Sequence, residues 1–169
     1  YIIGESHPCA GADFIEWGSG STGWLYKYQT QGVESVIKGI ELNLGFQYKN
    51  INFIYDLSLV TGDNLTENLP LSYMNPTKQI LHIEYEKKLM NYKIRASKIH
   101  AQNRLGEFES YTPSSFLIDF LISYHNKNQN ITIQFNNILN ETYYNHLSKI
   151  KMIMPEAGRN IVVSYNIYF

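Results

Sequence analysis

The sequence has a single cysteine, little charge and no long apolar run, and each shortage excludes a class of protein. With Cys9 as the only cysteine, neither a disulfide framework nor a cysteine-rich zinc site can form within the 169 residues. Charged residues make up 17% of the chain, and the net charge of −1 gives no electrostatic reason to expect a nucleic-acid partner. No apolar run approaches the roughly 18 residues that a transmembrane helix requires.

Tyrosine and strictly alternating apolar and polar residues are abundant instead. Aromatic residues make up 14% of the chain, and 14 of them are tyrosines. Alternation with a period of two is typical of β-strands whose two faces meet different surroundings. Seven segments show it, with apolar or aromatic residues at every second position of Ile40–Tyr48, Phe53–Leu59, Leu81–Tyr85, Tyr92–Ala96, Phe116–Tyr124, Ile131–Phe135 and Ile161–Phe169. We predict an all-β antiparallel chain, in which Tyr1–Ile3 adds a partial eighth strand.

The lengths of the predicted strands and connections favour a membrane barrel. The strands run for about 9–12 residues, as bilayer crossing at a tilt requires, whereas strands of soluble proteins average about 5–6 residues. Short polar connections near 49–50, 87–91 and 126–129 alternate with long ones near 4–23, 63–77, 103–114 and 140–159. Short periplasmic turns opposite long extracellular loops are typical of outer-membrane barrels. A soluble β-sandwich or a lipocalin-like barrel, with its apolar face inward, is the alternative.

Three motifs carry a resemblance to a known family. The first is Gly39-Ile40-Glu41-Leu42, and the second is Asn136-Asn137-Ile138-Leu139-Asn140. The third is Pro155-Glu156-Ala157-Gly158-Arg159-Asn160, followed by a last strand that ends in Phe169. In this order and spacing the motifs resemble those of TonB-dependent outer-membrane receptors. Ala157 stands where that family usually has proline.

The resemblance implies a transmembrane antiparallel barrel of about 22 strands, plugged by an N-terminal domain. Residues 1–169 would be a single-domain fragment that supplies about the last eight strands, and the plug and the TonB box would lie outside it. The implied function is import of a scarce metal complex, with an iron–siderophore complex as the expected cargo and energy from TonB. The implied location is the bacterial outer membrane, and no enzyme activity and no cofactor are expected.

The implied partners are membrane lipid and lipopolysaccharide, TonB, the metal complex and the barrel-assembly machinery. The last strand, with Tyr165, Ile167 and Phe169 on one face, resembles the signal that this machinery reads. An apolar stripe that simply meets lipid would have the same pattern. Both readings predict that these three side chains share the outer face.

Two groups of residues are candidate ligand contacts. Aromatic side chains in the predicted connections suit a large organic metal complex, and they are Trp17, Trp24, Tyr73 and Tyr111. His82 and Glu84 lie on the predicted inner face beside Lys93 and Arg95 of the next strand. They could bind a ligand, but pairing between neighbouring strands and contact with the plug explain them more simply.

Two pairs of residues are candidate metal ligands. His7 and Cys9 could bind a soft metal, and the thioethers of Met152 and Met154 suit cuprous copper. Two ligands do not complete a site, and a methionine pair that packs at the base of a loop is the alternative. Both pairs are therefore hypotheses for the structure to examine.

Two other functions stay open at the level of sequence. A stand-alone small outer-membrane barrel with a structural or adhesive role would need only eight strands. Its lumen would have to be filled by inward residues as small as Gly39, Gly45 and Ser58. An outer-membrane enzyme is the third possibility, although the chain has no G-x-S-x-G nucleophile motif. We therefore predict no catalytic residues.

Overall fold

The chain folds into antiparallel β-structure in a computed structural model. The structure describes residues 32–107 and 109–168, together with the backbone of strands at 14–16 and 24–26. None of these residues forms a helix with the length and apolar character that crossing a membrane requires. The strands are β1 (Phe14–Glu16), β2 (Trp24–Tyr26), β3 (Ser35–Tyr48), β4 (Ile51–Asn64), β5 (Leu69–Pro70), β6 (Lys78–Lys87), β7 (Met90–Ile99), β8 (Ser115–Asn126), β9 (Gln129–Asn136) and β10 (Asn160–Ile167).

The chain divides into two compact units, Tyr1–Glu34 and Ser35–Phe169. In the first unit β1 pairs with β2 in antiparallel fashion. We predicted a connection over 4–23, and this was wrong for β1, because a strand of three residues is too short to show alternation. The predicted strand at Tyr1–Ile3 lies outside the described residues.

The second unit is a single antiparallel sheet with the strand order β10-β9-β8-β7-β6-β4-β3, and β5 pairs with the end of β4. The seven long strands coincide with the seven predicted segments, which confirms the all-β antiparallel prediction. Their lengths vary more than predicted, from 14 residues in β3 and β4 to 8 in β9 and β10. Within the described residues the sheet is open, and β3 and β10 form its two edges.

The register aligns the apolar residues into a row that crosses all seven long strands. The row consists of Phe46, Phe53, Ile83, Ile94, Phe120, Phe135 and Ile161, each paired with the next. A shift of one residue in any strand would move its whole apolar set to the other face. The match therefore confirms that the apolar set of every long strand shares one face of the sheet, as predicted.

The distribution of apolar and polar residues in the sheet is the reverse of that in a soluble domain. Phe46 and Val163 on the apolar face are 65% and 66% exposed. Among the described residues the buried set is polar except for Gly62 and Leu117, and its polar members are Asn64, Ser97, Gln102, Thr112, Ser115, Asp119, Asn137, His146 and Lys151. Soluble proteins bury apolar side chains and leave no contiguous apolar face of this size in water.

The connections differ sharply between the two ends of the sheet. Residues 49–50, 88–89 and 127–128 form two-residue turns at one end. At the other end lie the first loop (65–77), the second loop (100–114) and the third loop (137–159), which carries no strand of its own. The predicted contrast between short turns and long loops is confirmed for the described part of the chain.

Candidate functional site

The three loops meet at a buried polar cluster formed by Glu109, Thr112, His146 and Lys151. Glu109 and Thr112 belong to the second loop, and His146 and Lys151 belong to the third. His146 is 3% exposed and Thr112 is 2% exposed. Polar groups buried this deeply must be satisfied by partners within the protein.

Glu109 joins all three loops through its carboxylate. Its Oε1 accepts hydrogen bonds from the backbone N–H of Tyr73 in the first loop, at 2.6 Å, and from His146 Nε2, at 3.1 Å. Its Oε2 accepts from the backbone N–H of Gly106, at 2.8 Å. The Glu109 side chain is 3% exposed, and all three of these hydrogen bonds come from within the loops.

His146 is held as a neutral imidazole with its proton on Nε2. The Glu109 carboxylate only accepts hydrogen bonds, so the Nε2 of His146 must be the donor. Its Nδ1 therefore accepts, and it lies 2.8 Å from Thr112 Oγ1 and 3.1 Å from Lys151 Nζ. Burial lowers the pKa of His146, the Lys151 ammonium lowers it further, and Glu109 opposes the shift.

Lys151 uses all three of its donors inside the cluster. Its Nζ donates to the carbonyl oxygen of Ser110 at 2.7 Å, to Thr112 Oγ1 at 2.9 Å and to His146 Nδ1 at 3.1 Å. Burial lowers the pKa of the Lys151 ammonium, and Glu109 opposes that shift. With one carboxylate, one ammonium and one neutral imidazole, the cluster has no net charge.

The order Thr112, His146 and Glu109 has the connectivity of a nucleophile, a base and an orienting acid. Such a triad needs a nucleophile that a substrate can reach. Thr112 is buried, and its hydroxyl is already engaged by His146 and by Lys151. The arrangement therefore fastens loops together and has no access for a substrate.

A second set of contacts ties the third loop to the wall of the sheet. Asp119 of β8 accepts from Arg95 of β7, with distances of 2.7 and 2.8 Å to its Oδ2. Its Oδ1 accepts from the backbone N–H of Asn137 at 2.8 Å. The side chain of Asn137 in turn accepts from the backbone N–H of Glu141 and donates to the carbonyl of Glu141. The first turn of the third loop is thereby held against the polar face.

The second and third sequence motifs lie side by side in the structure. Asn136 Nδ2 donates to Asn160 Oδ1 at 2.8 Å. Asn140 Oδ1 accepts from the backbone N–H of Arg159 at 3.1 Å, and a Cβ on Gly158 would lie 3.1 Å from the same oxygen. Glu156, which follows Pro155, donates its backbone N–H to the carbonyl oxygen of Tyr143. The two motifs therefore fix the base of the third loop.

A cavity of about 470 Å³ lies between the third loop and the loop-side ends of β4, β6 and β7. Its lining includes Ser58 and Lys78 from the sheet and Tyr143, His146 and Glu156 from the third loop. The pKa of Tyr143 is raised by burial first, and then by the carboxylates of Glu156 and Asp119. A smaller cavity of about 180 Å³ reaches the other side of the cluster, and it is lined by Tyr73, Glu109, Ser110, His146, Ser148, Lys149, Lys151 and Met152.

The predicted aromatic contacts are not brought together by the described structure. Tyr73 and Tyr111 are both about half exposed, in the first and second loops. Lys149 of the third loop lies over the Tyr73 ring, 5.9 Å from its centroid. Trp17 lies outside the described residues, and Trp24 is described only as part of the backbone of β2. Their role in ligand binding stays a prediction.

His82 and Glu84 lie on the polar face of β6, as predicted, and both contact charged side chains of neighbouring strands. Glu84 Oε1 lies 2.6 Å from Lys93 Nζ, and His82 Nε2 lies 3.5 Å from Asp56 Oδ2. His82 Nδ1 is buried and has no hydrogen-bond partner. These contacts favour pairing between strands as the explanation for both residues.

The metal hypotheses gain no support from the described residues. No group of three or more His, Cys, Asp or Glu residues there is placed to hold a metal ion. Met152 is 77% exposed, with its Sδ 3.3 Å from Ser110 Oγ, and Met154 is also exposed. His7 and Cys9 lie outside the described residues.

The remaining predicted positions lie along the two edge strands. Gly39 and Glu41 pair with Val60 and Ser58, and a Cβ on Gly39 would lie 3.0 Å from the carbonyl oxygen of Leu59. At the other edge, Tyr165 and Ile167 lie exposed on the apolar face of β10. Phe169 lies outside the described residues.

The loop cluster itself was missed by sequence reasoning. Glu109 and His146 are 37 positions apart in the sequence. No spacing rule connects two loop residues at that separation. The contact between His146 and Lys151 could not be predicted either, because a loop imposes no fixed sequence spacing on residues that are in contact.

Comparison with known proteins finds similarity in fold to a solved structure. No family model and no curated protein matches the sequence. Among solved structures, the chain is similar to "Copper transporter OprC", with a TM-score of 0.75 and 19% sequence identity. The match covers 81% of this chain and 24% of the transporter, so the chain spans about a quarter of that protein.

Proposed function

We propose that the chain forms part of the wall and loops of a bacterial outer-membrane receptor that imports a metal complex. The observation that carries the proposal is the distribution of residues over the sheet, which has an unbroken apolar row on one face and paired charges on the other. This is the distribution that a lipid-facing barrel wall with a polar interior requires. Import of a metal complex is supported by the similarity in fold to a copper transporter.

We propose further that the complete receptor has about 22 strands, a plug and energy input from TonB. The match to only 24% of the transporter's length supports a larger barrel to which this sheet contributes. The apolar face would contact lipid and lipopolysaccharide. The last strand, with Tyr165 and Ile167 outward and Phe169 at its end, would be the part that the barrel-assembly machinery reads.

An iron–siderophore complex is the cargo that the motif resemblance implies, and copper is the second candidate because of the matched transporter. In either case we propose that cargo first meets the exposed aromatic side chains of the loops, such as Tyr111. Glu84 is a weaker candidate because its carboxylate already pairs with Lys93, and His82 is weaker because its imidazole already lies beside Asp56.

Uptake measurements in cells test the proposal. Cells that express the full polypeptide would receive radioactive iron bound to catecholate or hydroxamate siderophores, or radioactive copper. We expect uptake of one of these above that of a deletion strain, and its loss when an ionophore collapses the inner-membrane proton gradient. Absence of uptake with every probe would overturn the metal-import proposal.

Two comparisons sharpen this test. Tyr111→Ala at the loop end should reduce uptake, whereas Tyr48→Ala, an equally exposed tyrosine at the turn end, should leave it unchanged. The intact mass of the polypeptide extracted from outer membranes gives the second comparison. A mass several times the 19.6 kDa of this chain is expected, and a mass near that value would favour a small structural or adhesive barrel.

A further inference from the structure

The loop cluster is neutral only while His146 is unprotonated. In that state the Lys151 ammonium donates to His146 Nδ1, and His146 Nε2 donates to Glu109. Protonation would convert Nδ1 from an acceptor into a donor. The hydroxyl of Thr112 can rotate to accept from it, but the ammonium 3.1 Å away has only donors.

Protonation would therefore place two cations side by side in a buried site that has a single carboxylate. A buried charge without a partner is costly, and the cluster can relieve this cost only by opening. Opening would separate the third loop, which carries His146 and Lys151, from the second loop, which carries Glu109 and Thr112. We propose that the Glu109–His146–Lys151 cluster is an acid-sensitive latch, which holds the third loop against the second loop and releases it when His146 takes up a proton.

The latch lies beside two cavities, so its release would change solvent access to them. His146 lines both the cavity of about 470 Å³ and the cavity of about 180 Å³. The smaller cavity gives solvent protons a route to the cluster, and displacement of His146 would remove one wall of the larger cavity. The other titratable or charged groups that line these two cavities are Tyr73, Lys78, Tyr143, Tyr144, Lys149 and Glu156.

The direction of the pH dependence follows from the lowered pKa of His146. When the loops separate, the imidazole regains a pKa near its ordinary value of about 6.5. The open state therefore binds the proton more tightly than the closed state. Closure is strongest above about pH 6.5 and weakens as the pH falls from there through the lowered pKa of the closed state. The inference concerns loop packing, and it holds whichever cargo the receptor carries.

Hydrogen–deuterium exchange of the full polypeptide in detergent tests the latch directly. Rates would be measured at about pH 7.5 and about pH 5.5, on either side of the ordinary histidine pKa, and corrected for intrinsic exchange. In the wild type we expect amides of the second and third loops, including the N–H of Gly106 that Glu109 holds, to lose protection at the lower pH. The loss should not exceed about tenfold, because pH 5.5 lies about one unit below the ordinary histidine pKa of about 6.5. Amides of β7 and β8 should show no such loss.

Three variants test whether the pH response depends on the His146 imidazole. His146→Gln cannot gain a proton, so its loop protection should not change with pH. His125→Gln, the same substitution at an exposed histidine near the turn end, should retain the wild-type response. If His146→Gln does not assemble, Lys151→Met provides the test, because removing the ammonium should shrink the pH response.

Two results would overturn the latch. One is wild-type loop protection that is equal at both pH values, and the other is a full response in His146→Gln. Neither result involves uptake, so failure of the latch and failure of the import proposal are distinguishable.

Discussion

Replacing Phe120 with arginine tests the proposed orientation of the sheet at its centre. Phe120 lies in the apolar row, and its ring stacks on that of Phe135 with centroids 6.3 Å apart. An arginine at the middle of a lipid-facing surface costs about 2–4 kcal/mol. Loss of the aromatic pair adds about 0.5–1.5 kcal/mol. The variant should therefore be less stable in a bilayer by roughly 3–5 kcal/mol, which is a factor of more than about 100 in the folding equilibrium.

The measurement is the fraction of folded barrel, read from heat-modifiable migration on a gel, together with unfolding in denaturant after reconstitution into lipid. Phe120→Leu isolates the aromatic pair and should cost no more than about 1.5 kcal/mol. Ser123→Arg provides the matched charge on the opposite face of β8, where Ser123 pairs with Asn91 and Thr132. It should leave the folded fraction near that of the wild type.

Equal folded fractions for Phe120→Arg and Ser123→Arg would refute the assignment of the two faces. The reverse order, with Ser123→Arg the more damaging, would place the polar face in a closed interior without room for charge. Folding of the wild-type polypeptide in water without detergent would favour the soluble barrel instead.

Other predictions concern the loops and the pairing of charges. Asp119→Ala removes the partner of Arg95 and of a buried N–H, and should cost about 2–4 kcal/mol in urea unfolding, reduced by the half-exposed Arg95 guanidinium. Asp63→Ala breaks an exposed pair and should cost at most about 1 kcal/mol. Gly106→Ala would push a Cβ into the backbone of Ser72 and should speed proteolysis of the first and second loops, whereas Gly45→Ala, with open space around it, should not.

The sequence was sufficient to predict the sheet because its information is local. Alternation with a period of two assigns each residue to a face, and the apolar row from Phe46 to Ile161 leaves one register for the whole sheet. The short strands β1 and β5 were missed because two or three residues cannot display a period. The length of β4 was underestimated because its clear alternation ends at Leu59, although its pairing with β3 continues to Asn64.

The loop cluster could not be predicted, because its contacts depend on the path of the chain. Glu109 interacts with residues 36 positions before it and 37 positions after it, at Tyr73 and His146. In a sheet, the strand register converts sequence spacing into spatial neighbours. Loops have no register, so their partners can be identified only from coordinates.

Side chains of the second and third motifs that carry the family resemblance are hydrogen-bonded to the backbone of the third loop. These motifs therefore give little information about the cargo. Both ends of the Asn137 amide bond the backbone of Glu141, and Asn140 accepts from the backbone of Arg159. Side chains with their hydrogen-bonding groups committed in this way have little left to offer a ligand. A resemblance carried by such residues predicts the architecture of the third loop, and any receptor with this loop base would share it. Under the proposed import function, specificity for cargo would then reside in loop residues outside the motifs, which is why Tyr111 is the more informative target for uptake experiments.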